Sequence, residues 1–255
     1  MKLSIRDLTV RFGDRTVVSV AELDLAAGQI VGLAGESGSG KSMTIQAVLG
    51  LAGTAGATVT GSVRLDGQEL TGLPAARLRA IRGARIATIF QSPSLAFNPV
   101  FRVGTIVRRT LRLHGLPKTA AAERAAAAMR AVLLDPGLLR RYPSQLSGGQ
   151  LQRVAIAVAL ALEAEVLLAD EPTSALDVTV QAEILGLLRR LRDDHGLTIL
   201  FVSHDLAVIA ELCDQVAIMH SGEIIEQGPV ARVTSAPAQA YTRALLAAVP
   251  RIGGQ

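Results

Sequence analysis

From Leu3 to Phe12 apolar and polar side chains alternate, the period of a strand with one buried face. A second alternating segment, Val18 to Leu25, closes in a turn at Ala27-Gly28. Gln29-Ile30-Val31-Gly32-Leu33-Ala34 is instead a short apolar run, which suits a strand buried on both faces. It leads into a glycine-rich turn and a helix over Ser42 to Leu51. Val59 to Leu65, followed by Asp66-Gly67, reads as antiparallel β with a tight turn.

From about Asn98 to Ala161 the period becomes helical. Asn98-Pro99 fits an N-cap followed by proline at the first helical position, and Val103, Ile106, Val107, Thr110 and Leu111 fall on one face. Thr119 to Leu134 is rich in alanine, the strongest helix former. After Glu165 strand and helix alternate: Val166–Ala169, Ala182–Asp193, Thr198–Ser203, Leu206–Leu212. That alternation predicts a mostly parallel, three-layer α/β core. A helical insertion interrupts the core, and a small antiparallel β portion precedes it.

The 255 residues suffice for one large domain without stapling. A composition of 49% hydrophobic and 19% charged residues is that of a globular chain. Its single cysteine, Cys213, excludes an internal disulfide framework and any multi-cysteine zinc site or iron–sulfur cluster within the chain. The 26 basic and 22 acidic residues give a net charge of +4, an excess that reads as arginine scattered over surfaces. With 3% aromatics and no tryptophan, stacking platforms are scarce and no nucleic-acid partner is expected. No apolar run approaches the ~20 residues of a membrane helix, and the start lacks a signal-peptide core. The expectation is a soluble protein of the cytoplasmic compartment.

Chemistry enters at Gly35-Glu36-Ser37-Gly38-Ser39-Gly40-Lys41-Ser42, which matches the eight-position phosphate loop in full, between the strand and the helix. Glycines let successive backbone N–H groups turn inward as an anion nest, and the helix that follows points its positive end at the phosphates. Lys41 supplies charge for β/γ oxygens and Ser42 a hydroxyl for Mg²⁺. Val166-Leu167-Leu168-Ala169-Asp170-Glu171 ends an apolar strand in two acids, at the end where open α/β sheets place their chemistry. Asp170 suits the metal, and Glu171 suits accepting a proton from an attacking water. Leu146-Ser147-Gly148-Gly149-Gln150 opens another helix, where amides and Ser147 can meet a phosphate.

On these motifs the chain resembles the ATP-binding-cassette ATPases over nearly its whole length. The resemblance implies an α/β P-loop NTPase fold of the ABC nucleotide-binding type, with a RecA-like core, an N-terminal antiparallel β subdomain and a helical insertion. Residues 1–90 and 163–230 would form the core with its β subdomain, 91–162 the helical part and 231–255 a short helical tail. It implies ATP and Mg²⁺ as ligands. Two such domains would pair head to tail, each ATP lying between one phosphate loop and the other domain's Ser147, Gly148, Gly149 and Gln150, so that hydrolysis requires a pair. Further matches are Gln91 as the Q-loop glutamine (also a metal ligand), Asp177 of the D-loop and His204 as the switch histidine. Phe12 takes the place of the adenine-stacking aromatic, where tyrosine is commoner; without the family it would read as a core residue. His114, His195 and His220 read as surface or packing residues.

Phe97-Asn98-Pro99-Val100, Tyr142-Pro143-Ser144-Gln145, the run from Asp170 to Ala182 and the stretch from Tyr241 to Pro250 resemble the peptide/nickel importer branch. That branch implies a sister ATPase, two membrane permease subunits and an extracytoplasmic binding protein, with this chain peripheral on the cytoplasmic face of the membrane. The insertion from Gln91 to Gln150 would sense ATP at its ends and dock a membrane-subunit helix between them. The cargo this branch implies is peptides or nickel/metal chelates, with the ending at Gln255 and Ala96-Phe97-Asn98-Pro99 tilting slightly toward the metal side without deciding it. A non-transport switch on nucleic acid or ribosomes and a small-molecule kinase are the alternatives. The first lacks the coiled-coil insertions or second cassette of such relatives, and the second has no use for Leu146–Gln150.

Overall fold

The computed structural model describes residues 1–92 and 96–248. Its elements begin with β1 Leu3–Phe12, β2 Arg15–Leu25, β3 Ile30–Ala34, α1 Lys41–Val48, β4 Thr58–Leu65, β5 Gln68–Glu69, α2 Ala75–Ile81 and β6 Ile86–Ile89. There follow α3 Val103–Leu113, α4 Lys118–Ala131, α5 Gly148–Ala161, β7 Val166–Asp170 and α6 Val178–His195. The chain continues through β8 Thr198–Ser203, α7 Leu206–Leu212, β9 Gln215–His220, β10 Glu223–Pro229, α8 Val230–Ser235 and α9 Ala240–Ala248. Two compact units form: Met1–Leu78 together with the chain from Thr198 onward, and Arg79–Leu197.

In the first unit the strands run in the order β5-β4-β1-β2-β10-β9-β3-β8. The alternation in β1 buries Leu3 and Ile5, then Leu8 and Val10, so the inward phase slips by one residue at Asp7. Asp7 adopts a left-handed backbone (φ 48°), and the register with β4 shifts there. Gly61 makes the bulge possible: a Cβ on it would lie 2.3 Å from the Asp7 carbonyl oxygen. Asp66 (φ 48°) and Gly67 (φ 78°) form the tight turn into β5, as their sequence predicts. Both strands beside β3 are parallel to it, and Ala34 at its end stands opposite Ser203 and Ile218. Every residue of β3 and β8 is buried, the pattern of a strand covered on both faces.

In the second unit β6 and β7 pair in parallel, with Ile89 opposite Ala169. The helical stretch begins later than expected. Asn98 Oδ1 accepts from the Val100 N–H (3.0 Å), so Asn98-Pro99 makes a turn and α3 starts at Val103 with Arg102 as its N-cap. The alanine-rich helix α4 stops at Ala131, and the chain reverses through Leu133 at φ 59°. No described helix is long and apolar enough to cross a membrane. Tyr241 to Ala248 of the C-terminal segment lies in α9, whereas Val249 and Pro250 fall outside the described residues.

Candidate functional site

The phosphate loop lies between the C-terminal end of β3 and α1 in the first unit. A Cβ on Gly35 (φ 155°) would sit 2.1 Å from the Met219 carbonyl oxygen, and one on Gly40 (φ 108°) 3.0 Å from both the Val17 oxygen and Met219 Cε. These two positions admit only glycine. Gly38 (φ 81°) faces open space. The loop is tied back on itself and on β9–β10 by Ser39 N–H to Glu36 O (3.2 Å) and Gly222 N–H to Ser39 O (2.9 Å). Lys41 is 4% exposed, and its ammonium donates to the Gly35 and Glu36 carbonyls at 2.8 Å each. The Thr44 N–H donates to Gly40 O (2.9 Å), the first turn of α1. The amides ahead of it stand at the start of a helix, the positive end of its dipole. Ser39 Oγ is buried with no hydrogen-bond partner, and Glu36, Ser37 and Ser42 are exposed around it. An orphaned hydroxyl, a buried cation and a cradle with no room for side chains fit a polyphosphate.

Parallel pairing brings more residues to this edge. Because Ala34 and Ser203 are register partners, Gly35 and His204 leave the sheet at the same end. His204 is exposed there, between the buried β8 and the Asp205 side chain that caps α7. Phe12 is half-buried at the tip of the β1–β2 hairpin, opposite Arg15, and is not a core residue. Tyr241 is a neighbour that sequence reasoning used only as a branch marker. Its hydroxyl accepts from the Glu36 N–H at 3.2 Å, and its ring lies 4.0 Å from that of His220. Glu226 fixes the approach of α9, accepting from the N–H groups of Ala238 (2.8 Å) and Gln239 (3.1 Å). Burial alone would raise the Glu226 carboxyl, yet these donors hold it below the usual carboxylate range.

The second unit presents a separate set. Asp170 ends β7, and Glu171 follows in a left-handed conformation (φ 46°), with Ser174 donating to its carbonyl from both N–H (3.3 Å) and Oγ (3.1 Å). Since Ile89 and Ala169 are partners, Gln91 leaves beside these acids, and its Nε2 donates to Glu171 Oε2 at 3.2 Å. Phe90, Gln91, Ser92, Ala96 and Asp170 line a cavity of about 420 Å³. An amide oxygen and a carboxylate on one wall are hard donors of the kind Mg²⁺ prefers, as is the exposed Ser42 hydroxyl in the first unit.

Ser147 is the N-cap of α5, with reciprocal bonds between Ser147 N–H and Gln150 Oε1 (3.0 Å) and between Gln150 N–H and Ser147 Oγ (3.2 Å). Gln150 is thus engaged in its own helix cap. Gly149 has a packing role: a Cβ on it would lie 2.4 Å from Val180 Cγ1 of α6, whereas one on Gly148 would meet Leu176 Cδ2 at an ordinary 3.5 Å. Asp177 caps α6 by accepting from the Val180 N–H (3.0 Å). Gln152, unmarked by any sequence signal, is buried with its Nε2 lacking a partner, on a cavity of about 110 Å³ shared with Gln91, Gly148 and Leu176.

A phosphate cradle at a helix start, acids at the end of a parallel strand and a capped serine-glycine turn define a nucleotide-binding α/β domain. The profile of the ABC transporter family matches residues 18–174, and the chain belongs to that family, as an ATP-binding domain with the family's ATPase machinery. It is 44% identical to the peptidoglycan transport ATP-binding protein YejF of Agrobacterium fabrum, over 98% of this chain and 47% of that protein. It is 41% identical to the oligopeptide transport ATP-binding protein OppD of Salmonella typhimurium, over 99% of this chain and 77% of the relative. The chain thus spans about half the length of the first relative and about three quarters of the second. Among solved structures, the ATP-binding cassette MJ0796, in a dimeric post-hydrolysis state with ADP and Pi, superposes with a TM-score of 0.76. The two are 28% identical, over 89% of this chain and 98% of that one.

Proposed function

We propose that the chain binds and hydrolyses ATP to drive import of peptide-type solutes, as the ATP-binding part of an ABC importer. The observation that carries this reading is the Gly35–Ser42 loop, with its glycine-only backbone, buried Lys41 and orphaned Ser39 hydroxyl. Backbone amides and Lys41 bind the β/γ phosphates, Phe12 meets the adenine, and His204 donates toward the γ-phosphate. Ser42, Gln91 and Asp170 are the residues that would hold Mg²⁺, which when bound would supply charge neutralisation for the phosphate oxygens. Glu171, oriented by Gln91, takes the proton of the attacking water. Ser147, Gly148, Gly149, Gln150 and Asp177 serve the nucleotide of a partner ATP-binding domain, so the active species is a pair, of unlike chains in the importer.

The names of the two relatives support peptide-type cargo, whereas the nickel reading has no counterpart in them. The further partners are two permease subunits and an extracytoplasmic binding protein, with this chain peripheral on the cytoplasmic face. The test is co-expression with the permease subunits, reconstitution, and ATPase measured with and without a peptide-loaded binding protein. Stimulation by peptide that disappears in Glu171→Gln supports the reading. Full ATPase in a strictly monomeric species, or no response to any peptide, overturns the pairing or the cargo respectively.

A further inference from the structure

We infer that the groove between α3 and α4 is a binding site for an anion carrying two or more phosphate groups, formed by residues outside the nucleotide machinery. Between Glu69 and Glu123 the chain contains no carboxylate, and it carries nine basic residues: Arg77, Arg79, Arg82, Arg85, Arg102, Arg108, Arg109, Arg112 and Lys118. The basic excess is therefore not scattered evenly, as composition alone suggests. Helix α3 buries Val103, Gly104, Val107 and Leu111, which turns Thr105, Arg108, Arg109 and Arg112 to the other side at helical spacing. These four, with Lys118, Thr119 and Ala122 of α4, line a groove of about 700 Å³, within the range that holds nucleotide-sized ligands.

Four cations and two hydroxyls face this groove and no carboxylate lines it. Among the described residues none of the four cations is in an ion pair. Helix α4 adds its positive end: Pro117 is its N-cap, no side chain caps it, and its first turn contains no acid. Like charges gathered without counter-charge repel one another, and a multivalent anion relieves that repulsion. Phosphate rather than carboxylate chemistry fits the donor set. Guanidinium forks bind two oxygens of one phosphate, the lysine adds a point charge, and the threonines and helix start supply neutral donors. Two sources share that chemistry, a soluble polyphosphorylated solute and the headgroup of an anionic phospholipid.

The test uses the full chain carrying Lys41→Ala, to weaken phosphate binding at Gly35–Ser42, with and without Arg109→Ala/Arg112→Ala. Two probes are applied: calorimetric titration with inorganic tripolyphosphate, and co-sedimentation with phosphatidylcholine vesicles with and without cardiolipin. Binding that weakens at least about tenfold in the double arginine variant, and only a few-fold in Arg109→Lys/Arg112→Lys, supports the site. Tripolyphosphate then marks the soluble source and cardiolipin the headgroup. No binding of either probe overturns the proposal, and so does binding that the arginine variants leave unchanged.

Discussion

The loop from Gly35 to Ser42 and the turn from Asp170 to Asp177 both join a buried parallel strand to a helix, yet they hold their chemistry by different means. In the first, backbone shape is the device: Gly35 and Gly40 have no room for a Cβ, and the Lys41 ammonium is clamped by two carbonyls of its own loop. In the second, side chains are the device: Glu171 accepts from Gln91 Nε2, and Asp177 accepts from the Val180 N–H. A backbone cradle binds whatever presents phosphate oxygens and tolerates no added atom. A carboxylate held through side-chain hydrogen bonds can exchange partners as those side chains move. The first arrangement suits ground-state binding and the second suits the chemical step.

Substitutions separate the two. Glu171→Gln keeps shape and removes the proposed base, so turnover should fall by about 10²–10⁴-fold with ATP binding retained. Single-turnover hydrolysis beside a labelled-ATP titration measures both, and near wild-type turnover removes Glu171 from the role. Lys41→Ala should do the reverse, weakening ATP affinity by roughly 10–100-fold, since bonds to a charged group are worth ~1.5–3 kcal/mol. An unchanged dissociation constant would break the comparison.

A packing variant comes next. Gly149→Ala drives a methyl into Val180, and overpacking of this kind costs about 1–3 kcal/mol. Urea unfolding should show the loss, with recovery on adding Val180→Ala. Absence of recovery would mean that the glycine serves something other than the α5–α6 contact. Tyr241→Phe removes one hydroxyl from the Glu36 N–H, a bond worth ~0.5–1.5 kcal/mol. KM for ATP should rise a few-fold with kcat unchanged, and a fall in kcat alone would contradict a positioning role.

The smallest effect concerns pH. Burial works to raise the Glu69 carboxyl, but hydrogen bonds from Ser62, the Val63 and Thr71 N–H groups and Arg64 outweigh it and bring it down to about 2. A depressed carboxylate stabilises the fold above its unfolded pKa of about 4.5, and that contribution fades between there and about 2. Protection of β4–β5 amides, relative to their intrinsic exchange rates, should fall as pH drops through that window in the wild type and much less so in Glu69→Gln. An equal fall in both would remove Glu69 as the cause.

Strand β1, the phosphate loop and the acid pair were legible because each rests on local rules: a period of two, glycine at left-handed positions, and acids closing an apolar run. Helix α3 starts later than the sequence predicts because Asn98 has two local options, and its side chain accepts from the Val100 N–H in a turn instead of capping a helix. Tyr241 was legible only as a marker. Its partner Glu36 lies 205 residues away, and no periodic pattern carries information across that separation.

The amino-acid sequence by itself determined the family, the strands β1, β3 and β4 and the strand–helix alternation after Glu165, and it offered candidates for binding phosphate and moving a proton. All of these depend on neighbours within a few positions. Tertiary structure decided why Gly149 and Gly61 must lack side chains, which nitrogen orients Glu171, and that α9 reaches the phosphate loop. It also gathered the arginines of α3 and the lysine of α4 around one groove. Contacts of this kind join residues distant in the chain, and only packing chooses them.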